Sequence, residues 1–403
     1  MLKGKCVVVG VCGGIAAYKT AAVVSGLKKL GAEVHVIMTK AAQEFVGKLT
    51  FQTLSQNLVT DEMFAEPKKW DVEHVELAQK ADLLLVAPAT ANTIAKMANG
   101  IADNMLTCVY LATEAPVLLA PAMNKNMYAH DATVQNLQKL AARGCKFVEP
   151  GEGFLACGVT GKGRMSEPEE IIDAVVGELA YEKDLRGLKV LVSAGPTQEP
   201  VDPVRFLTNH SSGKMGYAIA RAAKRRGADV VLVSGKTALT PVRGVKMVSV
   251  GSAQEMHDAI VSRSANCDII VKAAAVADYT PVQTAEQKMK KSDGEMTIAL
   301  RRTPDILREL GEKKPAGQVL VGFCMETQDL LEHAREKLVR KNCDYIIANN
   351  LFVQGAGFGV DTNTVTILGA DGSQVEPGNL PKDALAHVIL DIAKKTYDEK
   401  NGL

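Results

Sequence analysis

Two glycine-bearing stretches, each following an apolar run and leading into a helical one, are the residues best suited to hold a phosphate. The first is Cys12-Gly13-Gly14-Ile15-Ala16-Ala17. Glycines let backbone amides approach a ligand closely, and a helix N-terminus favours an anion. The second is delayed. After LKVLVSAGPT the chain runs through DPVRFLTN before reaching SSGKMG, Ser211 to Gly216, and an excursion of this length between strand and helix is usually functional. Neither stretch is a GxGxxG loop, and SSGKMG fails the GxxxxGK[ST] template because Met215 follows Lys214. An NAD site also places an acid at the end of the second strand for the ribose diol. Met38-Thr39-Lys40 stand there instead, which fits a monophosphate cofactor better than a dinucleotide.

Other strand ends carry chemistry too. APATANT follows LLLV and offers small side chains, two hydroxyls and an amide. That set suits a ring or a phosphate, and equally a helix N-cap. PAMNKNMY follows VLLA and brings Asn124 between Met123 and Met127. In the C-terminal half, KAAAVADY closes a strand with small residues and one carboxylate, Asp278. Small residues admit a ligand to the backbone, and a carboxylate beside phosphates suggests a magnesium partner. Lys288-Met289-Lys290-Lys291, ahead of Ser292-Asp293-Gly294, reads on its own as a solvated hairpin tip.

The elements that must position these residues are visible as short apolar runs. They fall at 6–9, 34–38, 83–86, 117–119, then 190–192, 230–233, 269–271, 319–321 and 345–348. Most alternate with segments of helical period, such as 16–30 and 219–226. Near-continuous apolar strands between amphipathic helices predict parallel sheets covered on both faces. The start of such a domain occurs twice, at 3–31 and 187–227, so two doubly wound α/β domains are expected, with a site where strands end and helices begin in each. A helix over 167–180 closes the first half, and the boundary is placed near Arg186, giving 1–186 and 187–403. Residues 365–368, an Asp371-Gly372 turn and a helix from about Lys382 complete the second half. The glycine-rich stretch 151–163 reads as a flap.

A chain of 403 residues is long enough for two cores. Its net charge of +1 and the lack of a basic tail argue against nucleic-acid binding. No window approaches the roughly 20 apolar residues of a membrane helix. Eight cysteines are scattered without CxxC spacing, which suits a reducing cytoplasm.

GGIAAYK, PATANT, PAMNKNMY and ACGVTGKGRM, in this order and with His74 in DVEHVELAQKAD, resemble the homo-oligomeric flavin-containing cysteine decarboxylases, specifically those acting on 4'-phosphopantothenoylcysteine. Tyr128 stands where some members have Trp. The resemblance implies a flavodoxin-like domain that binds FMN through Gly13, Gly14, Thr39, Thr90, Asn92, Thr93 and Ala122. An α-carboxylate beside an amide nitrogen has no electron sink, and the implied remedy is flavin oxidation of the cysteine side chain to a thioaldehyde. His74 is implied as the catalytic histidine of oxidative decarboxylation, Asn124 as the substrate carboxylate's partner and Cys157 as proton donor in the final reduction.

DPVRFLTNHSSGKMG, KAAAVADY, KMKK, TPDI and VGF resemble the bacterial, CTP-using 4'-phosphopantothenate–cysteine ligases, from about Gly187 to the C-terminus. This implies a Rossmann-like domain in which the pantothenate carboxylate attacks the α-phosphate of CTP and cysteine's amine then displaces CMP, with Mg²⁺ offsetting the triphosphate charge. Asn209 is implied as stabiliser of the acyl-cytidylate, and Lys288 as the residue needed for its conversion with cysteine. The implied CTP contacts are Lys272, Ala273, Ala274 and Asp278, then Pro304, Asp305, Ile306 and Leu307, and finally Phe323, Lys337 and Lys341, besides Lys288. Asp278 is the metal candidate.

The resemblances imply a bifunctional enzyme of coenzyme A synthesis acting on 4'-phosphopantothenate, L-cysteine and CTP. They also imply a homo-oligomer, a dodecamer combining trimeric decarboxylase contacts, with an active site shared between neighbours, and dimeric ligase contacts. Two rivals are an NAD(P)-dependent oxidoreductase, drawn from the doubly wound pattern alone, and a non-catalytic flavoprotein regulator.

Overall fold

The computed structural model describes residues 1–63, 72–154, 160–290, 296–326, 330–350 and 360–403. The chain divides into two compact units, Met1–Glu182 and Lys183–Leu403. The seam lies just ahead of Arg186. Residues of the connector pack with the second unit, where Asp184 pairs with the buried Arg226 and Leu185 N–H donates to Arg226 O at 3.1 Å.

The first unit includes β1 (Cys6–Val11), α1 (Ala17–Lys29), β2 (Glu33–Met38), α2 (Glu73–Lys80), β3 (Leu83–Ala89), α3 (Ala91–Asn99), α4 (Met105–Ala112), β4 (Val117–Pro121), β5 (Lys146–Phe147) and α5 (Pro168–Leu179), with further helices between. Its main sheet has five strands, all parallel, in the order β2-β1-β3-β4-β5. Every residue of β1, β3 and β4 is buried, because helices cover both faces. Val7, Val9 and Val11 of β1 point to the side of α1 and α5, while Cys6 and Val8 join α3 and α4 on the other. The period of two thus divides one apolar run between two cores. Each fully buried Val or Leu contributes roughly 1.5–3 kcal/mol.

The second unit repeats the plan: β6 (Lys189–Ala194), α6 (Lys214–Arg225), β7 (Asp229–Ser234), β8 (Lys246–Ser249), β9 (Ile269–Lys272), α7 (Ile306–Lys313), β10 (Val319–Glu326), α8 (Leu330–Arg340), β11 (Tyr345–Asn350), β12 (Thr362–Gly369), β13 (Gln374–Val375) and α9 (Lys382–Asn401). The order is β8-β7-β6-β9-β10-β11-β12-β13. The sheet is parallel from β8 to β11, as the apolar runs predict, and finishes antiparallel at β12 and β13. In both units the chain moves outward from the first strand on one side and then crosses to the other. The crevice at that reversal, β1/β3 in the first unit and β6/β9 in the second, is where open α/β sheets bind ligands.

Candidate active sites

In the first unit a cleft of about 1420 Å³ opens at the C-terminal ends of β1 and β3. Small-molecule sites usually span roughly 300–1,000 Å³, so this one has room for a cofactor and a substrate together. Gly13, Gly14, Thr39, Thr90, Asn92, Thr93 and Ala122 all line it, and so does Asn124. Several are also helix caps. Thr90 Oγ1 accepts from Thr93 N at 3.4 Å at the head of α3, and Thr39 Oγ1 accepts from Ala42 N at 3.3 Å. The two readings of PATANT therefore coincide, since capping aims the helix's first turn at the cleft.

Gly13 is fixed by packing. A Cβ there would stand 2.4 Å from Ala41 Cβ and 2.7 Å from Ala41 C, whereas at Gly14 it would meet only Thr90 Cγ2 at 3.8 Å. Gly13→Ala is therefore expected to push the 39–41 turn outward, costing about 1–3 kcal/mol and most of the bound flavin. Gly14→Ala should keep the fold. Flavin absorbance per chain after purification, with thermal melts of both variants, checks the contrast.

Asn124 is placed by its neighbours. Its Oδ1 accepts from Asn126 N at 2.8 Å, capping a short helix, and Met123 N–H donates to Gly163 O at 3.0 Å. Gly163 is the penultimate residue of one arm of an antiparallel hairpin, 151–154 with 160–164. Cys157 lies outside the described residues. His74 sits half-buried in the first turn of α2 and is not among the residues lining the cleft. Lining residues that carried no assignment from sequence include Lys19, Met63, Met105 and Arg164. Lys19 and Arg164 converge on Glu167, at 2.8 and 2.7 Å. Both lie inside the motifs GGIAAYK and GKGRM, which was the available signal.

In the second unit the candidate residues gather at the ends of β9 and β10. Lys272 ends β9. Ala274 N–H donates to Ser193 Oγ at 3.2 Å, and Asn209 Nδ2 donates to Val276 O at 3.0 Å. Asp278 O accepts from Thr303 N at 3.0 Å, which leads through Pro304 to Asp305. Asp305 caps α7 through Arg308 N at 3.1 Å and pairs with Lys341. Lys337 Nζ donates to Phe323 O at 3.1 Å. Ile306 and Leu307 bury their side chains in the core, which leaves their backbone N–H groups, without an intrahelical partner in a first turn, as the atoms they can offer a ligand. Lys288 is exposed on a loop beyond this cluster.

Lys272 is the electrostatic centre. It is 8% exposed, and burial, reinforced by Lys337 and opposed by Asp305 and Asp278, pulls its pKa down to about 7. At about pH 8 it is therefore mostly neutral in the free protein. A polyphosphate bound beside it would favour the ammonium form, so binding of CTP, the ligand the sequence resemblance implies, would take up to about one proton at that pH and weaken by as much as roughly tenfold per unit above it. Calorimetry in buffers of different ionisation enthalpy reads this uptake. Equal apparent enthalpies, or uptake unchanged in Lys272→Gln, would contradict it.

At the ends of β6 and β7 the loops pack closely on one another. Thr237 Cγ2 lies 2.8 Å from the place of a Cβ on either Gly195 or Gly213. Beside it Thr237 and Ser234 share hydrogen bonds with Tyr217 Oη, both at 3.2 Å. Hydroxyls and a methyl stand where a dinucleotide needs an acid and a gap, which disfavours the NAD(P) oxidoreductase.

Family models follow the same division. A flavoprotein model matches residues 1–180, and the model of the DNA/pantothenate metabolism flavoprotein C-terminal domain matches 185–397. Fold and family models together define a two-domain flavoprotein. The chain is 50% identical over 397 residues to the coenzyme A biosynthesis bifunctional protein CoaBC of Bacillus subtilis (strain 168), covering 98% of each. It is 43% identical over 403 residues to the protein of that description from Escherichia coli (strain K12), covering 99% of each. A crystal structure of the C-terminal domain of CoaBC is 42% identical, covers 54% of this chain and 100% of its own, and superposes with a TM-score of 0.47. The chain belongs to the CoaBC family of bifunctional coenzyme A biosynthesis proteins.

Proposed function

We propose that the second unit joins 4'-phosphopantothenate to L-cysteine at the expense of CTP, and that the first decarboxylates the product, 4'-phosphopantothenoylcysteine, with FMN. The observation that carries this reading is convergence. Residues from four separate motifs of the first half line one cleft, and those of the second half, Lys288 apart, gather at the ends of β9 and β10.

In the ligase step the pantothenate carboxylate attacks the α-phosphorus of CTP and pyrophosphate leaves. Cysteine's amine then attacks the acyl carbon, forming the amide as CMP departs. Lys272, Lys337 and Lys341 oppose the triphosphate charge, and the Ile306 and Leu307 amides meet it at the head of α7. Asp278 presents an exposed carboxylate, which suits Mg²⁺ held by one carboxylate and the phosphates. Asn209 spends one N–H on Val276 O. Its second N–H and its carbonyl oxygen then serve the acyl-cytidylate. Lys288 acts in the second half-reaction.

In the decarboxylase step, bound FMN supplies the electron sink that an amide-bearing α-carboxylate lacks. The Asn124 amide holds the substrate carboxylate against the flavin cleft, and Cys157 returns a proton at the end. His74 is contributed to the cleft of a neighbouring copy, in a homo-oligomer that combines trimeric decarboxylase and dimeric ligase contacts into a dodecamer. The scattered cysteines suit work in a reducing cytoplasm, and among the described residues no helix is long and apolar enough to cross a membrane.

The visible spectrum of the purified protein tests the cofactor. Flavin bands that disappear in Gly13→Ala agree with the proposal, whereas colourless protein that binds NADH contradicts it.

A further inference from the structure

Lys288 stands exposed on a surface loop, where a lysine normally samples many rotamers, yet the residue after it is held at both main-chain groups. Met289 N–H donates to Asp202 Oδ2 at 3.2 Å, and Met289 O accepts from Arg205 Nη2 at 3.1 Å. The Asp202 side chain is 0% exposed. Its Oδ1 accepts from Val204 N at 2.9 Å and Arg205 N at 2.8 Å, and its Oδ2 accepts from Arg205 Nε at 2.9 Å and Nη2 at 2.5 Å. Those donors already satisfy a carboxylate that braces its own loop. The bond to Met289 reaches 87 residues along the chain, and the loop itself has no need of it.

The same hairpin also places Asn209. Residues 198–200 pair with 206–208, and Thr208 Oγ1 donates to Thr197 O at 2.7 Å. Asn209 follows at once and is tied to Val276 O. At the other end of the hairpin Ala285 N–H donates to Val201 O at 3.0 Å. One hairpin is therefore fastened to Asn209 at its exit and to the Lys288 segment at its loop. Arg205 and the backbone donors hold the Asp202 carboxyl well below the usual carboxylate range, so the clamp stays charged at neutral pH.

We infer that Asp202 is a positioning residue for Lys288 in the second half-reaction, the step in which cysteine consumes the acyl-cytidylate. The inference rests on the reading of Lys288 given above. Asp202→Asn keeps an acceptor for the loop amides and loses the charge that holds Arg205 and the Met289 N–H. Pyrophosphate release from saturating CTP and phosphopantothenate should stay near wild type. Amide formation should fall by up to roughly 100-fold, with acyl-cytidylate accumulating. Met289→Pro removes the donor from the other side and should give the same split, which covers the case in which Asp202→Asn fails to fold. Neither change should worsen Lys288→Gln when combined with it. Effects that multiply with Lys288→Gln, or equal losses in both half-reactions, overturn the inference. A Lys288→Gln enzyme with normal turnover overturns instead the reading on which it rests.

Discussion

Asn209→Asp should abolish amide formation and leave decarboxylation of supplied 4'-phosphopantothenoylcysteine at its normal rate. The substitution is nearly isosteric, so the effect is electrostatic. Asn209 Nδ2 donates to Val276 O at 3.0 Å. An aspartate oxygen in that place faces a carbonyl oxygen with no proton between them, and the seam between residue 209 and the KAAAVADY turn must open. The new charge also lies beside an anionic acyl-cytidylate. Losing one donor to developing charge costs about 10²–10³ in rate, and the added repulsion raises that. CMP release with all three substrates is the measurement. Decarboxylation is spared because the described residues that line the flavin cleft belong to the first unit.

Gly163→Ala should do the opposite, lowering decarboxylation by roughly 100-fold while CMP formation continues. Gly163 has φ +143, and a Cβ there would stand 2.3 Å from Met123 O. That atom belongs to the turn bearing Asn124, and the Met123 N–H to Gly163 O bond lies in the same seam. The hairpin can only lift away, taking with it the contact that fixes the Asn124 turn. Strain in the backbone and the forced separation together cost about 1–3 kcal/mol of first-unit stability. Carbon dioxide release from supplied substrate checks the rate, and flavin content shows whether the cleft survives. Unchanged decarboxylation would mean that the hairpin does not position Asn124.

Much of this architecture is legible in the residues because the signals are local. Strands buried on both faces read as unbroken apolar runs, so β1, β3 and β9 are evident, and the loops after them carry the ligand-facing small residues. Thr90 and Asn124 are legible for a second reason, since capping and lining need the same short polar side chains. Other parts depend on packing that no local pattern records. Asp61, Glu62 and Met63 reach the cleft from the far end of the excursion after β2, with no glycine or motif beside them to mark them. Lys272 reads as one more polar residue at a strand end, and only the fold buries it among Lys337, Asp305 and Asp278. The antiparallel finish of the second sheet had a faint signal. In β12 the residues Asn363, Val365 and Ile367 are buried, while Thr362, Thr364 and Thr366 are half-exposed. That alternation belongs to a strand with one open face.

The KMKK segment shows the limit most clearly. By sequence its lysines form a solvated tip, and Lys288 is indeed exposed. What sets it apart is the main chain of Met289, anchored to a buried carboxylate far away in sequence. Hydrogen bonds of that kind leave no trace in residue type or spacing.

The central claim is that two independent chemistries run in sequence on one chain, the C-terminal unit making what the N-terminal unit consumes. A single reaction with phosphopantothenate, cysteine, CTP and Mg²⁺, followed for CMP and carbon dioxide, tests it directly. The account predicts equal amounts of both from the native protein. From Asn209→Asp it predicts neither product in that mixture, and carbon dioxide again once phosphopantothenoylcysteine is supplied. A folded Asn209→Asp enzyme that cannot decarboxylate the supplied intermediate, or a native enzyme that releases neither CMP nor carbon dioxide, would contradict it.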